Sequence, residues 1–528
     1  MTAVAPARGS AITTPAPAEV IVASRRVVAI LLTAAVSVAV LFAMAAPVVL
    51  GGDDALFTLP VLVHGALLCV AIACTLSLRT GLRVDSFTLF LAWETLRGCI
   101  APVILMYVGA GSRFYYRLGT PSDSRSVLFL GSVFFVVVVA TRVALAAGIR
   151  RRADRPGGAD GRLSARFDSA PSLPVNMPLT VGRVTAWPLI TLGSVGLVLR
   201  FPTPSAIAMF FSGSIEGLQG NGQYSDGPLL LAANFLRPLL VLGLVMLIRS
   251  RRERGRRWWP LLPVTAVAAL LALASYGLNR GTVAYCIIAI TLVYFEKSDL
   301  RLRLRGALTT VSVLGLFFTL IGQLRSTIWR PRTGLDSTGL DLVSVLQSVL
   351  PYSATPDQLS AALPAVRQAD PFGWRSFTMS LLSPIPGAPE AARTQSGTAV
   401  FNNVIYHSFI GKDQLLPSWF EGWISFGTIG LIAVGIAVGV LLAAADAMRH
   451  RAQSEIGAYA STIFALWIPQ ASVNAIGVVE QNVIYFVLTP LAVTTFARLW
   501  PDRHAAIGPL RHTEAPPRPT DTLRKVPS

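Results

Sequence analysis

Charge is what this chain has least of. Asp, Glu, Lys and Arg make up 14% of its 528 residues, against about 25% in an average soluble domain. So little charge cannot cover a water-soluble globule, and the mean hydropathy is +0.59. Alternation of apolar and polar residues is missing as well. The apolar residues come in unbroken blocks of roughly 20, the length that crosses the hydrocarbon core of a bilayer. In that layer only helices and closed barrels satisfy the backbone, and continuous runs exclude the barrel.

Cysteine is scarce too. Cys69, Cys74, Cys99 and Cys286 all lie in apolar runs, without disulfide or zinc spacing. The chain has no Walker A sequence, no HExxH and no Cys or His cluster, so ATP-driven transport and zinc hydrolysis lack their usual marks. No metal or other cofactor is expected. Acids are outnumbered, and the net charge is +18. The arginines nevertheless sit in clusters at Arg150-Arg151-Arg152, Arg249 to Arg257, Arg301-Arg303-Arg305 and the C-terminal tail. These clusters fall in alternate loops, which is the positive-inside pattern rather than a nucleic-acid surface.

The apolar runs predict twelve transmembrane helices, at 27–50, 56–78, 87–108, 127–147, 184–199, 228–248, 260–276, 281–295, 307–324, 426–443, 456–473 and 480–499. Ala43-Met44-Ala45 mimics a signal-peptidase site, but the run is long for a signal segment, so the first helix reads as uncleaved. Residues 1–26 and 500–528 read as disordered tails, the second basic, and both on the cytoplasmic side. With the N-terminus inside, the loops 79–86, 148–183, 249–258, 296–306 and 444–455 are cytoplasmic, and each carries Arg or Lys. The sequence thus reads as an all-α, multi-pass protein of the bacterial cytoplasmic membrane. One connection is unusual: residues 325–425 form a large outer loop. Leu342, Val343, Leu346, Val349 and Leu350 recur at helical spacing in it, and Phe377, Met379, Leu381 and Leu382 form a second apolar cluster. Short amphipathic helices on the membrane surface, or a packed external subdomain, fit this pattern.

Charges inside apolar runs are functional suspects, because each costs roughly 2.5–3.5 kcal/mol at mid-helix. Arg237 sits halfway along the sixth run, one turn after Asn234, with no acid on its own helix; a pairing with Glu94 is the structural alternative to a functional role. Glu94 and Arg97 share one face of the third run, as a buried ion pair would. His64, in the second run, reads as a packed polar residue. Outer edges are normally poor in arginine, yet Asn279-Arg280, Arg325, Arg330 and Arg332 gather there. A guanidinium fork suits the phosphate oxygens of a lipid diphosphate, and contact with ordinary lipid headgroups is the plainer reading. His407 is the only histidine of an outer loop. Glu421, among Trp419, Phe420 and Trp423, is a candidate general base, with Glu480 a weaker one.

Three stretches resemble one family. They are Asn279-Arg280-Gly281 opening an apolar helix; Phe372-Gly373-Trp374 with Ser380-Leu381-Leu382-Ser383-Pro384-Ile385-Pro386; and Pro417-Ser418-Trp419-Phe420-Glu421-Gly422-Trp423 running on to Phe426-Gly427-Thr428-Ile429-Gly430. The chain here resembles the Wzy-type O-antigen and capsule repeat-unit polymerases, as does its layout of helices with one large late outer loop. His407 lies too far from Gly427 and Gly430 for the spacing of the related ligases.

The resemblance implies a GT-C-like fold and metal-independent glycosyl transfer at the outer face. A glycan would leave its polyprenyl diphosphate and join the next lipid-linked repeat. Arg280, Arg325 and Arg237 would hold the diphosphate, Arg330, Arg332 and Asn279 the substrate, and Glu421 or His407 would serve as base. Membrane lipids, a flippase and a chain-length regulator are the implied partners. Two alternatives stay open. A glycosyltransferase using a lipid-monophosphate sugar would take Asp53 or Asp54 as base and need a divalent metal. A lipid-oligosaccharide flippase or other transporter would move its cargo without forming glycosidic bonds.

Overall fold

The computed structural model describes residues 17–50, 57–77, 85–108, 121–153, 181–203, 228–273, 356–364, 366, 373–385, 388–406, 416–451 and 455–499. Among them every regular element is helical. They are α1 (Pro17–Val49), α2 (Thr58–Ser77), α3 (Ser86–Thr95), a π-helical turn (Leu96–Ile100), α4 (Ala101–Val108), α5 (Pro121–Ala153), α6 (Val181–Arg200), α7 (Pro228–Glu253) and α8 (Leu261–Leu273). Four short helices follow: α9 (Pro356–Ser360), α10 (Trp374–Leu382), α11 (Glu390–Thr394) and α12 (Gly397–Tyr406). The chain closes with α13 (Ser418–Arg451), α14 (Glu455–Trp467), a 3₁₀ turn (Ile468–Ser472), α15 (Ile476–Val483), a second π turn (Ile484–Leu488) and α16 (Thr489–Leu499).

Seven segments among the described residues are long and apolar enough to cross a membrane: Val28–Val49, Thr58–Thr75, Ser86–Tyr107, Ser122–Ala147, Ala232–Arg252, Ser418–Arg449 and Ile476–Phe496. Each overlaps an expected span, so seven of the twelve expected spans are matched among the described residues. Those expected at 281–295 and 307–324 lie outside the described residues. Several boundaries move, and two of them change the reading. Residues 17–26, expected in a disordered tail, extend α1, which opens on Pro17, a residue suited to the first helical position. The span expected from 426 begins instead at Ser418, and a break at Gly427 (φ 63°, ψ −150°) divides α13 into a short entry helix and the long apolar run. Glycine reaches that φ without the steric cost a side chain would add. Glu421 therefore stands on a helix, not on the loop that was expected to run to 425.

Two apolar cores lie side by side. One is built from α1–α5, α13 and the short helices. The other is built from α6, α7 and α14 with the second π turn. In the second, α6 and α7 cross closely at small residues. A Cβ on Gly193 would fall 2.1 Å from the Leu240 backbone nitrogen. Such close approach matters in lipid, where helices associate by packing more than by water exclusion.

Side-chain ties fix the two ends of the bundle. At one, the Ser124 and Ser360 hydroxyls meet at 2.9 Å, seating α9 on the start of α5. At the other, Asp446 near the end of α13 accepts from Ser86 N and Oγ at 3.0 and 2.8 Å, and from Arg142 at 3.0 Å. Helices α5 and α13 thus run parallel. The short helices cap the end where both begin, and Arg449 and Arg451 lie at the opposite end.

Asp85 caps α3 by accepting from Thr88 N at 2.8 Å. Burial, then the nearby Asp446, pushes its carboxyl up to about 6 from an ordinary 3.8. An acid raised by folding favours the folded state while protonated. Its contribution is present below about 3.8 and is lost as pH rises through about 6. Asp85→Asn keeps the cap and removes the charge. It should raise the thermal midpoint at neutral pH and flatten the pH dependence across that window, as measured by unfolding in detergent.

Candidate functional site

The capped end is organised by the opening of α13. Ser418 donates from its backbone nitrogen and its hydroxyl to the Asn474 carbonyl, at 2.9 and 2.7 Å. The Trp419 indole donates to the Ser472 carbonyl at 3.2 Å. These bonds clamp the start of α13 to the turn between α14 and α15. Glu421, one turn on, has no exposed surface. Oε1 accepts from the Ser380 hydroxyl of α10. Oε2 accepts from the Ile476 backbone N–H at 3.1 Å. That N–H belongs to the first turn of α15, whose cap residue Ala475 provides no side-chain bond. A helix leaves its first N–H groups unsatisfied and bears partial positive charge there, so a carboxylate suits both needs.

Ser380 extends the tie. Its oxygen accepts from Gly397 N at 2.7 Å, where α12 begins. A Cβ on Gly397 would sit 2.3 Å from Glu421 Oε1, so this backbone can close on the carboxylate only without a side chain. One buried glutamate therefore draws α10, α12 and α15 onto α13. Alongside, Phe426 packs edge-on against Phe377 at 5.1 Å and under Trp374 at 5.7 Å.

Deeper in the bundle lies a second polar group. Glu94, Arg97 and His64 are 0%, 2% and 2% exposed. Arg97 donates to Glu94 Oε2 and, at 3.3 Å, to the Gly131 carbonyl of α5. Its guanidinium stands 5.0 Å from the centre of the Trp419 ring. His64 Nε2 faces the same Glu94 oxygen at 3.5 Å. The other ring nitrogen meets Ser132 Oγ at 3.0 Å. Ser132 Oγ also reaches the Leu128 carbonyl, at 3.1 Å. Two glycines make room. A Cβ on Gly98 would lie 2.1 Å from the His64 ring, and one on Gly131 would lie 2.2 Å from Arg97. Arg97 and Gly98 fall within the first π turn, a distortion common at functional sites.

The expected ion pair Glu94–Arg97 is thus present. The pairing of Arg237 with Glu94 is not, because Arg97 and His64 are the groups facing Glu94. Arg237 and Asn234 are buried midway along α7. Glu480 is half-buried on α15. Arg280, Arg325, Arg330, Arg332, Asn279, His407, Asp53 and Asp54 lie outside the described residues. Glu421 was expected to act as a base. Both its oxygens are engaged, by the Ser380 hydroxyl and the Ile476 N–H, and it has no exposed surface. Ser380, Gly397 and Ser132 were not singled out from the sequence for these roles; Ser380 stood within a quoted motif, but its bond spans 41 residues. Among the described residues no set of three His, Cys, Asp or Glu side chains is placed to hold a metal. No family model, curated protein or solved structure matches the chain significantly.

Proposed function

We propose that this protein is a membrane glycosyltransferase that joins polyprenyl-diphosphate-linked oligosaccharide repeats into a surface polysaccharide at the outer face of the cytoplasmic membrane. What supports the reading is the Ser380–Glu421 hydrogen bond. It joins the two distant stretches, 372–386 and 417–430, on which the resemblance to the repeat-unit polymerases rests. The capped end of the bundle is then the outer end, and both termini are cytoplasmic.

In this reading an acceptor sugar hydroxyl attacks the anomeric carbon of the growing glycan. The new C–O bond forms as the bond to the diphosphate breaks, and polyprenyl diphosphate leaves with the electron pair. The diphosphate is a good leaving group, so fixed cations rather than an acid stabilise the developing charge. Arg280, Arg325 and Arg237 hold it. The hydroxyl proton passes to His407, while Glu421 holds α10, α12 and α15 on α13.

Purified protein in liposomes, given a labelled polyprenyl-diphosphate-linked repeat, should yield a ladder of polymer and free polyprenyl diphosphate. Arg280→Ala and Arg325→Ala should lose the ladder and leave single lipid-linked repeats. Lysine should rescue poorly, because an ammonium cannot reproduce the bidentate fork. Full-length polymer from both alanine variants would remove the diphosphate role. Transfer of substrate across the bilayer without new glycosidic bonds would overturn the whole reading in favour of a flippase. A strict need for divalent metal would favour a lipid-monophosphate enzyme.

A further inference from the structure

The turn between α7 and α8 carries Arg-Ser-Arg-Arg-Glu-Arg-Gly-Arg-Arg at 249–257, six arginines to one glutamate, followed by Trp258 and Trp259. Such a run usually forms a loose, solvated loop. Here its backbone is tightly folded. Gly255 has φ 65°. Arg256 N donates to the Arg251 carbonyl at 3.0 Å, and Gly255 N donates to the Arg252 carbonyl at 3.1 Å. This pair of bonds around a left-handed glycine is the Schellman ending of a helix. Two more bonds, from Leu261 N to Trp258 O and from Leu262 N to Trp259 O, both 3.1 Å, wind the chain directly into α8. The Arg252 guanidinium lies 6.0 Å from the Trp258 ring centre. Arg251, Arg252, Arg254, Arg256 and Arg257 are all exposed. None of them makes an ion pair among the described residues.

The chemistry is graded along this hairpin. Val264 and Val267, one turn apart on one face of α8, are 53% and 58% exposed. Trp259, 63% exposed, stands next, and the arginines come directly before it. An apolar strip, then an interfacial indole, then forked cations match the acyl chain, glycerol region and phosphate of one lipid molecule. The hairpin also lies at the right level. Phe235, early in α7, packs against Tyr485 of the second π turn at 4.5 Å, and α7 lies against that turn and α16 rather than α15, so it runs away from the capped end. Its arginines consequently emerge at the end opposite the cap, with Arg449. A nucleic acid would use the cations but leave the tryptophan and the aliphatic strip without a purpose.

We infer that the α7–α8 turn is a binding site for an anionic phospholipid, with its phosphate held by Arg256, Arg257 and the neighbouring guanidinia and its acyl chain along α8. The site stands apart from the glycosyltransferase reading and does not depend on it.

The test uses the full chain in nanodiscs of phosphatidylcholine, with or without phosphatidylglycerol. Each lipid is supplied with brominated acyl chains that quench nearby tryptophan. Brominated phosphatidylglycerol should quench several-fold more strongly than brominated phosphatidylcholine at equal mole fraction. The excess should vanish in Trp259→Phe. It should also vanish when Arg251, Arg254, Arg256 and Arg257 are all changed to Gln, with helicity by circular dichroism unchanged. Should that variant fail to fold, the pair Arg256→Gln and Arg257→Gln serves in its place and should reduce the excess. Equal quenching by the two lipids overturns the site, as does an excess that survives the arginine changes. Loss of the excess on adding inorganic phosphate at constant ionic strength would show a plain phosphate site and overturn the lipid assignment.

Discussion

Glu94→Ala should destabilise the protein by about 3–5 kcal/mol, the usual cost of stranding one partner of a buried ion pair. The reason is what remains. Arg97 is 2% exposed, and without Glu94 its charge is left with the Gly131 carbonyl and the face of Trp419. Neither neutralises it. His64 loses its acidic neighbour as well, keeping only Ser132. Removing both charges is a different matter, since apolar replacements of similar volume often leave stability unchanged. Glu94→Ala with Arg97→Met should recover most of the loss, and Glu94→Gln should cost less than Glu94→Ala because the amide oxygen still accepts. Thermal unfolding in detergent, read as a double-mutant cycle, measures the coupling. If Glu94→Ala unfolds at the wild-type midpoint, the cluster does not hold α2, α3 and α5 together. Gly98→Ala provides an independent check. The added methyl would collide with the His64 ring, so it should destabilise the wild type more than a His64→Ala background.

What the sequence made legible follows the range of the forces involved. Apolar length is local, so α2 at Thr58–Ser77 and the α3–α4 span at Ser86–Val108 lie within a residue or two of their expected bounds. The Glu94–Arg97 pair was legible for the same reason, since helical geometry alone brings i and i+3 together. His64 could not be added to it, because that contact needs α2 docked on α3. The two π turns, the Gly427 break and the start of α13 are set by packing between segments far apart in sequence, and hydrophobicity carries no mark of them. The short cap helices left only apolar clusters as a trace. Their junction depends on Ser380 meeting Glu421, a pairing that no local pattern encodes.

Glu421→Ala should cost roughly 2–6 kcal/mol, because it strands two buried groups at about 1–3 kcal/mol each. These are the Ile476 N–H at the start of α15 and the Ser380 hydroxyl. Gly397→Ala should resemble it, since its methyl would push the carboxylate from its seat. Both variants should lose polymer synthesis together with the cap. Glutamine separates positioning from proton transfer. Its amide oxygen can still accept from Ile476 N–H, and its NH₂ can donate to Ser380, whose oxygen already accepts from Gly397 and has a second lone pair. The cap then stays closed, at the cost of one hydroxyl proton that must find another partner. Glu421→Gln should accordingly keep turnover within about tenfold of wild type, whereas loss of a general base would lower it by roughly 100-fold or more. Ser380→Ala should instead loosen the cap, because it removes the partner of both Glu421 Oε1 and the Gly397 N–H without touching the carboxylate's basicity. Turnover of a lipid-linked repeat and the unfolding midpoint, measured on the same preparations, tell the two roles apart. A glutamine variant that is as stable as wild type but a hundredfold slower would make Glu421 the base and leave His407 without that role.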